Sequence, residues 1–262
     1  MDYVLIMLAA LGASALTLFS GFGLGTLLMP VFALFFPLPL AIAATALVHL
    51  ANNLFKAGLM AAHSDRDVLA RFALPAIPAA FLGAWLLEGL GGLPPLHVYT
   101  LAGGEHQVTG IKLSIAVVVA CFSLLELSPR FDALAFERRW LPLGGLLSGF
   151  FGGLSGHQGA LRSAFLNRAG LTKEAFVATA ALSAVLVDVS RLLAYGVGFL
   201  GEQFTVLADR GGLGLLAAAT LSAFLGSYFG KRLLKKITLP MLQKGVAGFL
   251  LLFSVALGTG LI

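Results

Sequence analysis

A short glycine-rich segment in the second half of the chain carries residue types suited to holding an anion. It contains Ser155, Gly156, His157 and Gln158, and Arg162 follows it in the next apolar stretch. A guanidinium presents a planar fork to two oxygens of an oxyanion, an imidazole can bind the same group or take up a proton, and an amide can donate hydrogen bonds to it. We therefore predict that these five residues bind a small anion, with Arg162 as its charge partner.

The same side chains could instead have structural roles. Arg162 could pair with Asp188 or extend toward the membrane surface beyond Arg168, and His157 could serve only to hydrogen-bond a neighbouring segment. A bound anion accounts better for an arginine inside an apolar stretch, because a buried cation is costly without a counter-charge.

A second glycine break lies near the start of the chain, at residues 20–25. Gly23, Gly25 and Thr26 stand where this break gives way to a helix, so free backbone N–H groups and the positive end of the helix dipole would face a ligand. Glycines also let membrane helices pack closely, which is the structural alternative. Because the two breaks recur at matching positions, we predict that both contribute to one anion site.

A polar stripe follows the first break, in an otherwise apolar stretch. Asn52 and Asn53 are predicted either to contact the anion or to bridge helices, as amides commonly do in membranes. His49 is a candidate for coupling or gating. Lys56 stands nearer the cytoplasmic end, where we expect its side chain to extend to the membrane surface.

Asp188 and Arg191 form a charged pair within another apolar stretch. They are three positions apart on one face of the predicted helix, and each is expensive in hydrocarbon unless it is paired. A structural ion pair is the favoured interpretation, while a role in proton coupling or gating stays open.

An enzymatic function is the alternative to carriage of an anion. The run from Gly153 to Gly156 matches the Gly-x-Ser-Gly of rhomboid-type intramembrane proteases, and the run from His49 to Asn53 matches their His-x-x-x-Asn. Those proteases take the base for the serine from a later helix, and no histidine follows His157 in the sequence. We therefore expect no catalysis. The 5 histidines offer no convincing set of metal ligands, although carriage of a divalent metal stays open, and no cofactor is expected.

The composition places all of these residues in a lipid bilayer. Of 262 residues, 59% are hydrophobic and 11% charged, whereas a soluble domain carries about 25% charged residues. Lysine and arginine fall mostly in short loops between apolar runs, which indicates a multi-pass inner-membrane protein and argues against a nucleic-acid partner. The first apolar run lacks a basic leader, so we expect it to be retained and not cleaved. The single cysteine, Cys121, excludes an internal disulfide.

Six apolar stretches have the length of a membrane crossing. They lie at about 40–62, 72–90, 111–127, 173–199, 212–230 and 245–262. The two interrupted regions, 3–36 and 140–169, are predicted to be re-entrant helical hairpins. Loop charges support a hairpin at 140–169, because lysine and arginine concentrate in cytoplasmic loops. If this segment turns back, all the loop lysines and arginines except Lys112 and Arg210 lie on one side of the membrane.

The predicted fold is an all-α polytopic membrane protein with inverted repeats, each consisting of a re-entrant helical hairpin and three transmembrane helices. The first repeat spans 1–127, a cytoplasmic linker spans 128–139, and the second repeat spans 140–262. In each copy a glycine break is followed by a half-helix and an Ala-Thr-Ala run, around Thr45 and Thr179. Such an architecture places a substrate near the midplane, where broken helices of the two halves meet.

With this order and spacing the chain resembles the TauE/SafE family, also called the toluene-sulfonate uptake permease family. The resemblance rests on the first break with Pro30 after it, on the alanine-rich helix with Thr45, and on the second break at 149–159 with Thr179 following. It covers essentially the whole chain. It implies a secondary transporter of sulfite or a short organosulfonate across a bacterial inner membrane, whose partners are the small anionic substrate and the lipid bilayer. The second break is more polar than the family's plain glycine run, and Arg162 stands near the counterpart of Pro30.

Overall fold

The computed structural model describes residues 2–16, 24–101, 103–128, 136–209, 212–233 and 239–262, and nearly all of them are helical. In chain order the helices are α1 (Asp2–Leu16), α2 (Leu24–Ala33), α3 (Leu38–Met60), α4 (Arg66–Gly91), α5 (Gly110–Glu126), α6 (Leu141–Ser155), α7 (Gly159–Leu166), α8 (Lys173–Asp209), α9 (Gly212–Leu233) and α10 (Leu239–Gly258). Two strands, β1 (His97–Leu101) and β2 (Gly104–Val108), pair antiparallel between α4 and α5.

The helices have the length and the surface of membrane-spanning elements. Four stretches are long and apolar enough to cross a bilayer: Leu38–His63, Arg66–Gly91, Lys173–Gly196 and Gly212–Phe229. Large apolar side chains point outward from them and from α10; Leu74 is 67%, Leu193 69% and Leu252 75% exposed. Such a surface suits lipid and not water. The chain is an all-α polytopic membrane protein, as the sequence predicted.

Several element boundaries differ from those expected. Helix α4 begins at Arg66 and not near residue 72, because the Asp65 carboxylate caps it by accepting a hydrogen bond from the Val68 N–H at 3.0 Å. Helix α10 begins at Leu239 instead of about 245. Helix α8 continues beyond residue 199 to Asp209, after a break at Gly196 where φ is 66° and ψ is 173°.

The β-hairpin between α4 and α5 was not anticipated from the sequence. Gly103, with φ of 82°, stands at its turn, and the Tyr99 ring stacks against His97 and His106 on the same face of the ribbon. The Tyr99 hydroxyl donates to the Thr259 carbonyl at 2.7 Å. The hairpin is therefore anchored to the end of α10.

At the second glycine break the chain reverses direction. The Phe136 ring, just before α6, stacks on Phe165 near the end of α7 at a centroid distance of 4.2 Å. The Phe136 N–H also donates to the Ala164 carbonyl at 3.3 Å. Since the start of α6 and the end of α7 lie side by side, the segment between them turns back near Gly156, as a re-entrant hairpin requires.

Contacts between distant segments place several connections at one end of the molecule. The Arg138 guanidinium lies 3.0 Å from the Asp67 carboxylate, and the Asp65 N–H donates to the Thr179 hydroxyl at 3.1 Å. The loop before α4, the segment before α6 and the first turns of α8 therefore share this end. Helix α4 runs from it to the β-hairpin at the other end.

The closest helix packing joins α4 to α6 through small residues. Glycines recur every four positions on α6, and each lies against a backbone carbonyl of α4 so closely that a Cβ would collide. The pairs are Gly145 with Phe72, Gly149 with Ala76, and Gly153 with Ala80. Small residues at this spacing let two membrane helices approach to backbone contact. This contact holds the second break against the first half of the chain.

Candidate functional site

The two glycine breaks meet inside the molecule. A Cβ on Gly25, in the first turn of α2, would lie 3.2 Å from the Gly156 carbonyl and 3.8 Å from the Thr45 methyl group of α3. Thr26 is buried beside it. Gly23, the third residue predicted for this tip, lies outside the described residues. The convergence of the two tips is the arrangement expected for a shared site.

The second tip is held in a fixed conformation. Gly156 has φ of 80°, a left-handed conformation that side-chain-bearing residues rarely adopt. Its N–H donates to the Gly152 carbonyl, and its own carbonyl accepts from the Gln158 N–H, both at 3.0 Å. The Ser148 hydroxyl donates to the Gln158 carbonyl at 2.9 Å. These bonds fix the position of Gln158.

Asp188 is the centre of a buried polar cluster. Its Oδ2 lies 2.6 Å from His49 Nδ1, and its Oδ1 lies 2.9 Å from Arg191 Nη2 and accepts from Gln158 Nε2 at 3.2 Å. The Asp188 and Arg191 side chains are 0% and 1% exposed. The ion pair predicted from their spacing is present, and His49 and Gln158 complete the surroundings of the carboxylate.

Two more predicted residues join this cluster. Arg162 Nη1 donates to Gln158 Oε1 at 3.0 Å, so Arg162 reaches Asp188 only through the amide. Asn53 Nδ2 lies 3.3 Å from His49 Nε2 and donates to the His49 carbonyl at 2.9 Å. We call the six residues the central network: His49, Asn53, Gln158, Arg162, Asp188 and Arg191.

The central network carries more positive than negative charge. It contains two guanidiniums and one carboxylate, and in the described part of the chain no second acidic side chain forms an ion pair with either arginine. Arg191 Nη1 donates to the Gly152 carbonyl at 3.4 Å. Arg191 Nη2, although close to Asp188, lacks the alignment of a hydrogen bond, and Nε makes none within the described residues. Arg191 is buried and Arg162 is partly buried, and a net positive charge at this depth favours an anionic ligand.

Asn52 and Lys56 lie in the same helix as His49 and Asn53, and Lys56 is close enough to Arg162 for the two positive charges to repel each other. The Asn52 amide contacts Ser227 Oγ at 2.8 Å and Ser14 Oγ at 3.3 Å, so it bridges α1, α3 and α9. In the amide orientation that pairs each of its polar atoms, its oxygen accepts from Lys56 Nζ at 3.3 Å. Lys56 is 9% exposed. The expectation that it extends to the surface is wrong, because its ammonium is held inside the helix bundle.

Ser155 and His157 interact with each other and with the backbone. The Ser155 hydroxyl donates to the Phe151 carbonyl at 3.0 Å, and His157 Nδ1 lies 3.1 Å from both the Ser155 carbonyl and its hydroxyl. The His157 ring stacks on Phe122 of α5. Because the Ser155 hydroxyl donates to the Phe151 carbonyl and His157 Nδ1 faces the Ser155 carbonyl oxygen, the two side chains are not arranged as a serine nucleophile and its base.

Thr45 is a buried residue that was not among the predicted site residues. It is 2% exposed, its methyl group lies against Gly25, and its hydroxyl forms no hydrogen bond with the residues that the structure describes. The repeated Ala-Thr-Ala run was the sequence signal that could have identified it. Among the described residues, no three His, Cys, Asp or Glu side chains are grouped to hold a metal ion.

A cavity of about 230 Å³ lies beyond the central network, toward the β-hairpin end. The Tyr195 side chain lines it together with Glu88 at the end of α4 and Glu202 of α8. Tyr195 lies one turn of α8 beyond Arg191, and its hydroxyl donates to the Gly153 carbonyl at 3.4 Å. Tyr195 therefore stands between the cavity and the buried charges.

The family model described as sulfite exporter TauE/SafE matches residues 6–257, essentially the whole chain. The chain belongs to this family. No curated protein and no solved structure matches it. Membership in the TauE/SafE family identifies a membrane transporter of sulfur-containing anions and confirms the resemblance seen in the sequence. The family consists of transporters and not of enzymes.

Proposed function

We propose that the chain carries sulfite or a short organosulfonate across the bacterial inner membrane and binds it where the two glycine breaks meet. The observation that carries this proposal is the excess of positive charge in the central network, formed by the buried pair of Arg191 and Asp188 and the partly buried Arg162, next to the contact between Gly25 and Gly156. A small oxyanion would supply the missing negative charge and accept hydrogen bonds from the arginines.

Movement of one half of the chain against the other would expose this site to each side in turn. Helix packing supports two equivalent halves. If α1 corresponds to α6 and α4 to α9, the packing of α6 on α4 has its counterpart in the packing of α1 on α9, and both are present. Helices α3 and α8, which would be equivalent to each other, pack together and carry His49 and Asp188. An inverted repeat with a site on its pseudo-twofold axis has these features.

The proposal is tested first by ligand-induced stabilisation of the purified protein. Melting temperatures are measured with sulfite, methanesulfonate, sulfate, acetate and a divalent metal. A ligand that binds only the folded state stabilises it by about 2.7 kcal/mol at a hundredfold excess over its Kd. We expect sulfite or methanesulfonate to stabilise the native protein and to lose this effect in Arg162→Ala.

The matched control is Arg168→Ala, which removes an exposed arginine just beyond α7 and should leave the stabilisation intact. Flux of labelled sulfite into vesicles then measures transport itself. Stabilisation by divalent metals alone, or equal stabilisation of native protein and Arg162→Ala, would contradict the assigned site.

A further inference from the structure

Three buried side chains around the junction of the tips have polar atoms without a hydrogen bond to the described residues. They are Thr45 Oγ1, His157 Nε2 and Arg191 Nε, on side chains that are each at most 3% exposed; Arg191 Nη2 is held by its ion pair with Asp188. Thr45 lies against Gly25, Arg191 Nη1 lies 3.1 Å from the Cβ position of Gly156, and His157 follows Gly156 in the chain. A buried polar atom is costly unless it is paired. These atoms are therefore suited to a ligand.

The hydrogen-bonding role of His157 Nε2 follows from its neighbours. His157 Nδ1 lies 3.1 Å from the Ser155 carbonyl oxygen, which can only accept. Nδ1 must then carry the proton, and in the neutral ring Nε2 presents a lone pair. The other buried histidine differs, because His49 donates from Nδ1 to Asp188 and its Nε2 lies 3.3 Å from a possible donor, Asn53 Nδ2.

The surroundings of His157 leave it no counter-charge within the described residues. Helix α8 contributes the Arg191 guanidinium, and α5 contributes the uncharged Phe122 ring. Asp188 and His49 lie beyond Arg191 and are already paired with each other. A fully deprotonated oxyanion held by Arg191 would set oxygen lone pairs against the lone pair of Nε2.

We infer that the anion binds at the tips together with one proton, which lies between an oxygen of the anion and His157 Nε2. This inference rests on the proposed function. The proton arrives either on the anion, as in hydrogensulfite, or from solution onto Nε2 when the anion carries none, as in a sulfonate. Thr45 and Arg191 donate to the remaining oxygens. The site thus takes a small oxyanion and couples its binding to proton uptake.

Calorimetric titration with methanesulfonate, in buffers that differ in ionisation enthalpy, counts the protons bound. Methanesulfonate is the anion of a strong acid and stays deprotonated near neutral pH, so His157 must take the proton from solution. Above neutrality we expect uptake of about one proton per anion and an apparent affinity that falls about tenfold per pH unit. His157→Gln offers an amide donor that needs no proton. It should bind methanesulfonate without uptake and with little dependence on pH.

His63→Gln, which changes an exposed histidine just after α3, is the matched control and should keep the native proton count. Binding of methanesulfonate to the native protein with no proton uptake would overturn the inference and leave the proposed function intact. Uptake that persists in His157→Gln would assign the proton to another group and would also overturn it. If neither sulfite nor methanesulfonate bound to the native protein, the proposed function itself would be overturned.

Discussion

Asp188 is the residue on which the buried charges depend. It contacts His49, Gln158 and Arg191, and its removal leaves the guanidiniums of the central network without a carboxylate. Removing one partner of a buried ion pair costs about 3–5 kcal/mol. We therefore expect Asp188→Asn to lower the free energy of unfolding by about that amount, measured by denaturation in detergent.

The control for Asp188→Asn is Glu88→Gln, which neutralises an exposed carboxylate and should change the free energy of unfolding by less than about 0.5 kcal/mol. Sulfite should restore part of the stability lost in Asp188→Asn, since the bound anion replaces a negative charge. Equal stability of the two variants would mean that Asp188 does not hold the buried cations.

Gly156 permits a second test at a single residue. An alanine there must adopt φ of 80°, and its methyl group would lie 3.1 Å from Arg191 Nη1. The left-handed conformation alone costs a side-chain-bearing residue about 1–2 kcal/mol. We expect Gly156→Ala to lower the melting temperature and to abolish sulfite flux, because it displaces the arginine at the junction of the tips.

Gly58→Ala is the matched control for Gly156→Ala. Gly58 lies in α3 with open space around its Cβ position, and alanine in a helix interior is favoured over glycine by about 0.5–1 kcal/mol. Its stability should rise slightly and its flux should match that of the native protein. Unchanged flux in Gly156→Ala would show that the tip tolerates displacement of Arg191.

The sequence anticipated contacts within one helix better than contacts between helices. The spacing of Asp188 and Arg191 predicted their ion pair, because three positions along a helix bring side chains to one face. The contact between His49 and Asp188 joins residues 139 positions apart. No spacing rule reaches that far, and only packing of α3 on α8 brings the two together.

At the scale of elements, apolar length predicted the membrane helices because hydrocarbon allows few other backbone structures. The β-hairpin was missed because it lies outside the apolar stretches, where that constraint is absent. The break at Gly196 was missed because glycines are common in membrane helices, and Gly196, Gly198 and Gly201 in one apolar stretch do not show which of them interrupts the helix. Local capping by Asp65 and packing moved the boundaries of α4 and other helices.

The contact of α4 with α6 predicts how the second break is positioned. Gly149 lies against the Ala76 backbone with no room for a Cβ, so Gly149→Ala must push the helices apart. Overpacking of this kind costs about 1–3 kcal/mol. We expect a lower melting temperature and weaker stabilisation by sulfite, because α6 carries the tip at Gly156.

Gly248→Ala serves as the control for Gly149→Ala. Gly248 lies in α10 with nothing within 4 Å of its Cβ position, so its substitution should raise the melting temperature slightly, as for Gly58→Ala, and leave the response to sulfite at its native value. If Gly149→Ala matched Gly248→Ala in both measurements, close packing of α4 on α6 would not be what positions the tip.

At the scale of the whole molecule, reversal of the chain at Gly156 decides the topology. It returns the end of α7 to the end of the molecule that holds Asp65 and Arg138, which agrees with the clustering of loop lysines and arginines on one side. The positions of the helices therefore follow from two independent features, packing and charge. If residues 141–166 instead crossed the membrane once, the end of α7 would not lie beside the start of α6, and the loop lysines and arginines would be divided between the two sides.

Surface labelling from each side of the membrane tests this topology. In a Cys121→Ser background, single cysteines at Ser64 and Arg168 should react with an impermeant maleimide from the cytoplasmic side, and one at Glu105 in the β-hairpin only from the opposite side. A cysteine at lipid-facing Leu252 should react from neither side and sets the background. Labelling of the Ser64 and Arg168 positions from opposite sides would mean that 141–166 crosses the membrane once. The two halves would then have the same orientation, and a midplane site between inverted repeats would be ruled out.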